Sequence, residues 1–367
     1  APVVNLSKTQ GEVTPTTPSS EQMITATTPF ATPPLQLKLF LPKSKLHHSS
    51  SKIKQTRTPY DGEENDRSEE FTFPGHVNSI SSTSNPFVKH CVKLARSSPY
   101  RHTHGSVLVV GSIPIVEIHQ HQESLAERTT KMEYLFVLEG AEIPPVLENS
   151  PARILRVSAL VLKKLSQIQS TESLEAVAMM KYPTSYYVLD DGGKHGDCIN
   201  WFPSPHRILV LEGIQDPGNL GTLLRSAVAF KWGGVFLLPG CCDPFSLKSL
   251  RASRGAAFQL PLVSGSWNHL ESLQQQWKMK MLAGHPDIEL DSKSVSPLCQ
   301  RFVDTVSDTP LCLVLGSEAH GLSEKAQENC ELVSIPMAGQ YESLNVAVAG
   351  GIFLYMLQPK NVEEFCL

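Results

Sequence analysis

The sequence predicts an α/β protein built on a parallel sheet, preceded by a smaller α/β unit. Three observations carry that expectation. The chain has 367 residues, enough for two folded domains. From His206 onward, short continuous apolar runs alternate with helical stretches, which is how parallel strands covered on both faces read in sequence. A Gly-rich stretch over residues 190–205, with Gly192, Gly193 and Gly196, separates this region from an earlier, compositionally different one.

The elements follow in order. Residues 1–70 are rich in Ser, Thr and Pro and show no period of 2 or 3.6. Up to Tyr60 the only acids are Glu12 and Glu21, set against Lys8, Lys38, Lys43, Lys45, Lys52, Lys54 and Arg57. A basic, hydroxylated, acid-poor leader has the composition of an organelle transit peptide, which points to a chloroplast or mitochondrion; an untargeted disordered tail is the alternative. Residues 71–190 read as the first folded unit. Between Phe71 and Val116 it holds no Asp or Glu, and Lys89, Lys93 and Arg96 fall at i, i+4 and i+7, one face of a helix. With Arg101 close behind, this reads as an anion-binding surface, a solvated helix face being the plainer reading. Residues 106–110 and 114–118 read as strands, and residues 152–169 as an amphipathic helix.

A linker spans 191–205, and the second unit covers 206–358, with a tail at 359–367. In the second unit, strands are expected at 208–211, 235–238, 260–263, 279–282, 311–315 and 331–335. Helices are expected from Pro217, over 245–253 and 267–277, and as a closing helix over 343–357. Ser343 is the expected N-cap of that last helix, with Asn345 in its first turn. The helix is apolar nearly all round, so most of its faces need cover, from protein or from a second subunit.

Composition excludes several classes. Lys+Arg number 32 against Asp+Glu 36, a net charge of −4, which argues against a purely electrostatic nucleic-acid binder but leaves local basic surfaces open. The longest apolar run, 346–357, falls short of the ~18–20 residues that cross a bilayer. The 8 cysteines include no C-x-x-C pair, so reduced thiols are expected rather than zinc or disulfides. His119 and His121 read as one face of a strand end rather than as metal ligands, and His320 as structural. No metal is expected.

Three loops stand out beyond expected strand ends, where ligands bind in such sheets. The first, EGIQDPGNLGTLLRSA over 212–227, begins a helix at Asp216-Pro217 and could cradle a phosphate, although it lacks both the dinucleotide and the P-loop patterns. The second is LVLGSEAHGLSE over 313–324. The third is SIPMAGQYESLNVAVAGGIFLYML over 334–357.

Together and in this order, N-L-G-x-x-x-R, L-G-S-E-x-x-G-L and I-P-M-x-G-x-x-x-S-L-N-V-x-V-A resemble the three motifs of the SpoU/TrmH family of RNA 2′-O-ribose methyltransferases. Departures are mild: Ser317 stands where Asn or Ala is also common, and Ala319 where Gly is usual. The resemblance covers about 207–357, and extends more weakly to a ribosomal-protein-like substrate-binding module in the first unit. It implies a fold with a trefoil knot, S-adenosylmethionine as cofactor, RNA (rRNA or tRNA) as substrate, and a homodimer. By the same resemblance, Leu315, Gly316, Ile335, Met337 and Leu344 match cofactor-binding positions. Asn219, Arg225, Glu318, Ser343 and Asn345 match positions associated with catalysis. Arg225 is weighed as a cation that orients ribose and phosphate, with a general-base role as the alternative. Lys248, Arg251 and Arg254, in an acid-free stretch, join Lys89, Lys93, Arg96 and Arg101 as expected RNA contacts. Rival readings are a catalytically silent RNA-binding or ribosome-assembly factor and a small-molecule methyltransferase. Intact Arg225, Ser343 and Asn345 argue for the enzyme.

Overall fold

The computed structural model describes residues 75, 77–168, 176–190, 200–203, 205–286, 294–339 and 342–359. These belong to one compact unit, built on two sheets. The leader, most of the linker and nearly all of the tail lie outside the described residues.

The first sheet is assembled from β1 (Ser79–Ile80), α1 (Pro86–Arg96), α2 (Ser98–His104), β2 (Ser106–Val110), α3 (Ser112–Ser124), β3 (Met132–Leu138), α4 (Pro145–Glu148), β4 (Arg153–Val157), α5 (Ala159–Ser166) and β5 (Ala176–Lys181). Its strand order is β1-β4-β3-β5-β2, with β2 and β3 antiparallel to β5 and the other pairs parallel. Asn85 caps α1 by accepting the Phe87 N–H at 2.8 Å, and Phe87, Val88, Cys91 and Leu94 are buried. That leaves Lys89, Lys93 and Arg96 exposed together, as the spacing predicts.

Two expectations are corrected here. Residues 114–118 lie in α3, not in a strand. Ile115 and Ile118 are buried one turn apart, while Pro114 sits in the first turn, where no N–H partner is lost. Apolar Ile115, Val116 and Ile118 within five residues fit either period, so the sequence alone did not decide. His119 and His121 are therefore helical as well. Residues 152–169 are not one helix: β4 ends at Val157, and Ser158 stops it and caps α5 by accepting the Val161 N–H at 3.4 Å.

The second sheet and its helices comprise β6 (Tyr186–Val188), β7 (Arg207–Leu211), α6 (Pro217–Ala229), β8 (Gly234–Leu237), α7 (Leu247–Ser253), β9 (Leu262–Ser264), α8 (Trp267–Trp277), β10 (Lys280–Gly284), β11 (Ser296–Pro297), α9 (Gln300–Val306), β12 (Leu311–Leu315), α10 (Glu324–Asn329), β13 (Glu331–Ser334) and α11 (Val346–Met356). Strand order is β11-β13-β10-β12-β7-β8-β9-β6, and every pairing among the described residues is parallel. All carboxyl ends therefore meet along one edge. β6, which closes the first stretch of chain, pairs with β9 and so belongs to the second sheet.

Buried Arg207, at the start of β7, joins distant ends of this region. Its guanidinium donates to the carbonyls of Val306 (3.1 Å), Ser307 (2.7 Å), Thr309 (2.6 Å) and Leu357 (2.8 Å). Burial lowers its pKa to about 10, which leaves it charged at neutral pH.

The seam between the two sheets is held by paired polar groups. Arg101, 3% exposed, donates to the Leu94 carbonyl at 2.7 Å and to the Asp243 carboxylate. Burial pushes the Asp243 carboxyl up, but hydrogen bonds from Ser98 and Arg101, the Arg101 charge and the Phe245 N–H outweigh it and hold the group below its usual range. Arg254 pairs with Glu117, and Gln122 Nε2 donates to the Phe258 carbonyl at 3.4 Å. Phe245 packs against Tyr182 and Tyr186 at ring-centre distances of 4.8 and 4.9 Å.

Candidate active site

Three strand exits build the site. β7 and β12 are neighbours, and the ladder runs one residue further, with the Glu212 N–H donating to the Leu315 carbonyl at 3.0 Å. Beyond β12, Ser317 and Gly321 exchange backbone hydrogen bonds of 3.0 and 2.9 Å, folding 316–322 into a tight loop. A Cβ on Gly316 would lie 2.3 Å from the Gly321 carbonyl oxygen, so the loop itself requires glycine there. The Ser317 hydroxyl accepts the N–H groups of Ala319 (3.2 Å) and His320 (3.0 Å).

α6 starts as its sequence predicts. Asp216 accepts the Asn219 N–H at 2.8 Å, and Pro217 fills the first turn. Gly221 serves packing rather than a phosphate: a Cβ there would lie 2.5 Å from Ala252 Cβ, where α6 meets α7. α11 begins differently from expectation. Its cap is Asn345, not Ser343, with Asn345 Oδ1 accepting the N–H groups of Ala347 (2.9 Å) and Val348 (3.3 Å). Both residue types are good caps, so the sequence left the choice open.

That cap fixes the direction of a hydrogen-bonded row. With its oxygen turned to the helix, Asn345 donates through Nδ2 to Asn219 Oδ1 at 3.2 Å. Asn219 in turn donates through Nδ2 to Glu318 Oε1 at 2.7 Å. Three motifs remote in sequence thus meet in one row of side chains.

Beside this row opens a cavity of about 580 Å³. All five expected cofactor positions line it: Leu315, Gly316, Ile335, Met337 and Leu344. Glu318, Ser343 and Asn345 line it too, whereas Asn219 reaches it through its two bonded partners. Arg225 lies on the exposed side of α6, does not line the cavity, and has no ion pair among the described residues. His320, expected to be structural, and His285, for which the sequence gave no expectation, also line the cavity. His285 follows β10 directly, so the run Met281-Leu282-Ala283-Gly284 before it was the available signal. Among the described residues no cluster of His, Cys, Asp and Glu could hold a metal. Cys241, partly buried, donates to the Leu211 carbonyl at the end of β7 at 3.2 Å, and burial pushes its thiol up to about 11.

The expected RNA contacts divide. Lys89, Lys93, Arg96, Lys248 and Arg251 are exposed. Arg101 is corrected: it is buried against Asp243, an acid 142 residues away that an acid-free window could not reveal. Arg254 is half-exposed, with its guanidinium engaged by Glu117.

A cavity beyond the carboxyl edge of a parallel sheet, rimmed by a row of amides and a carboxylate, defines a ligand-binding α/β protein. Comparison with known proteins makes this specific. The profile of the SpoU rRNA Methylase family matches residues 206–355. An uncharacterized tRNA/rRNA methyltransferase of Synechocystis sp. is 32% identical over 286 residues, covering 76% of this chain and 93% of the relative. One from Mycobacterium leprae is 31% identical over 272 residues, 71% of this chain and 81% of the relative. Among solved structures, an RNA 2′-O ribose methyltransferase superposes with a TM-score of 0.58 at 28% identity, covering 76% of this chain and 97% of that one. The AdoMet-bound rRNA methyltransferase of Sinorhizobium meliloti shares the fold, with a TM-score of 0.60 at 23% identity, covering 77% of this chain and 98% of that one. The chain belongs to the SpoU rRNA methylase family, and is a methyltransferase of that family.

Proposed function

We propose that this protein uses S-adenosylmethionine to methylate a ribose 2′-hydroxyl in structured RNA, either rRNA or tRNA. The observation that carries this reading is the row Asn345–Asn219–Glu318 at the rim of the cavity. It sets amide and carboxylate groups where a polar, uncharged hydroxyl has to be held and aligned. The name of the RNA 2′-O ribose methyltransferase, 28% identical, supports the ribose rather than a base as the target.

The residues fit the cofactor. Apolar Leu315, Ile335, Met337 and Leu344 suit a purine and a thioether-like chain, and the tight turn at Gly316 exposes backbone for polar contacts. When bound, adenosylmethionine supplies an electrophilic methyl carbon on a positively charged sulfur. The protein then has to hold the hydroxyl in line, and positioning of this kind supplies several kcal/mol. Asn345 and Ser343 orient the hydroxyl by hydrogen bonds, while Asn219 keeps Glu318 in place. Arg225 acts as a cation toward ribose or phosphate, since a guanidinium holds its proton.

Lys89, Lys93 and Arg96 bind RNA phosphate from the first sheet, with Lys248 and Arg251 on α7. A homodimer is part of the proposal. Ala347 and Gly350 of α11 are turned inward, and a Cβ on Gly350 would lie 2.2 Å from Leu223 Cδ2, so they are taken up within the subunit. Val348 and Tyr355, 53% and 57% exposed, offer the apolar face instead. The trefoil path of the loops and delivery to an organelle by residues 1–70 complete the reading.

Transfer of labelled methyl from adenosylmethionine to rRNA and tRNA, followed by mapping of alkali-resistant linkages, tests the function. Label at a ribose is expected. Label on a base, or none on any RNA, would overturn it. Light scattering tests the dimer, and a fluorescent fusion to residues 1–70 tests the targeting.

A further inference from the structure

Glu212 stands directly beyond β7, outside the cavity, and carries none of the expected catalytic or binding roles. Its bonds nevertheless converge on the loop 316–322 that forms the cavity wall. Through its backbone it holds the entrance of that loop, donating its N–H to the Leu315 carbonyl at 3.0 Å. Through its side chain it holds the exit, with Oε2 accepting the Ser323 N–H at 3.0 Å. Ser323 is the N-cap of α10, so the carboxylate fixes the point at which the loop becomes helix. The other oxygen, Oε1, accepts the indole N–H of Trp267 at 2.9 Å, at the start of α8. Neighbouring Gly213 adopts φ +68°, and a Cβ there would lie 3.2 Å from Ser317 Cβ, so the chain beside Glu212 also lies against the loop.

We infer that Glu212 is a positioning residue, gripping both ends of the loop 316–322 and thereby setting the cavity wall and the place of Glu318. The inference rests on the proposed cofactor site. Its physical basis is that a half-buried carboxylate accepting two neutral N–H donors makes charge-assisted bonds, stronger than neutral ones. No Lys or Arg among the described residues forms an ion pair with Glu212, so both oxygens serve the two N–H donors. Holding the loop before a ligand arrives removes the ordering cost that binding would otherwise carry.

Glu212→Gln is the informative variant. It keeps the shape and one accepting oxygen, but turns an NH₂ group toward one of the two donors. Two measurements decide. In the protein without cofactor, amide hydrogen exchange at Ser317, Ala319, His320 and Gly321 should rise at least several-fold, while the strands β7 and β12 keep their protection. By calorimetry, the adenosylmethionine Kd should rise ~5–30-fold, as expected for loss of a charge-assisted bond, with the RNA Kd unchanged. Trp267→Phe removes only the indole donor and should leave exchange in the loop near the wild-type level. Unchanged loop exchange in Glu212→Gln overturns the inference whatever the ligand. So does equal loosening by Trp267→Phe, which would place the effect in α8. Wild-type protein that fails to bind adenosylmethionine would instead count against the proposed function, with the exchange data still deciding the role of Glu212.

Discussion

Asn345 donates to Asn219 across 126 residues of sequence, and it can do so because its own oxygen is committed to the first turn of α11. One side chain is thus both helix cap and part of the cavity lining. The two duties are separable by substitution.

Asn345→Asp keeps an excellent cap, so stability should change by no more than ~0.5 kcal/mol. It removes the Nδ2 donor and sets a carboxylate against Asn219 Oδ1. Single-turnover methyl transfer should slow by about 100-fold, the scale of a misplaced reacting group. A normal rate with an unchanged melting temperature would show that the row does not serve the chemistry.

For Arg225, the rate on substitution distinguishes charge from geometry. Arg225→Ala should lower the single-turnover rate with RNA and cofactor binding largely kept. If charge alone matters, Arg225→Lys restores part of that rate; if two-point planar contact matters, it does not.

Phosphate binding should appear in the salt dependence of RNA affinity. Replacing Lys89, Lys93 and Arg96 by Gln should flatten the slope of log K against log salt by up to ~0.7–0.9 for each phosphate no longer neutralised. Arg101→Gln should leave the slope unaltered and lower the melting temperature, because its charge faces Asp243. Filter binding between low and moderate salt checks both.

Acid should weaken the fold through His90. Burial, then the charges of His104, Lys181 and Lys93, lowers its pKa from 6.5 to about 4, and its Nδ1 lies 2.9 Å from the Tyr100 hydroxyl. Below pH 6.5 the unfolded chain takes up a proton that the folded chain refuses, so stability falls as pH drops toward 4 and is unaffected by this group above 6.5. His90→Phe should show a shallower loss between pH 7.5 and 5 in urea melts. Parallel pH profiles would assign the acid sensitivity to other groups.

Arg207→Met should destabilise the protein by about 3–5 kcal/mol in denaturant melts, since it strands the carbonyls of Val306, Ser307, Thr309 and Leu357 away from water. Arg207→Lys, with fewer donors, should recover only part of this.

Much of this architecture was legible in the sequence. β2 and β12 lie over the residues expected of them, because each is a bounded apolar run too short for a helix. Asp216-Pro217 marked the start of α6 by its local chemistry alone. Local signals failed where they were shared by two structures, as at Pro114 and at Ser158, where one apolar pattern served strand and helix alike. They also failed where the partner was remote. Nothing near Arg101 announces Asp243, and nothing near Glu212 announces Ser323 or Trp267. The cavity residues Gly316, Ile335 and Leu344 were recoverable only because three loops recur together in a known family.

The seam has a consequence for how substrate is chosen. Arg101–Asp243, Glu117–Arg254, Gln122–Phe258 and the insertion of β6 beside β9 leave the basic face of α1 little freedom to swing relative to the cavity. Reach is then a fixed length, and the proposed function would make the protein a gauge. Of all the riboses in an RNA held by its phosphates on α1, the one offered to the cavity would be the one lying at that length, with any bending needed to bring it there falling to the RNA.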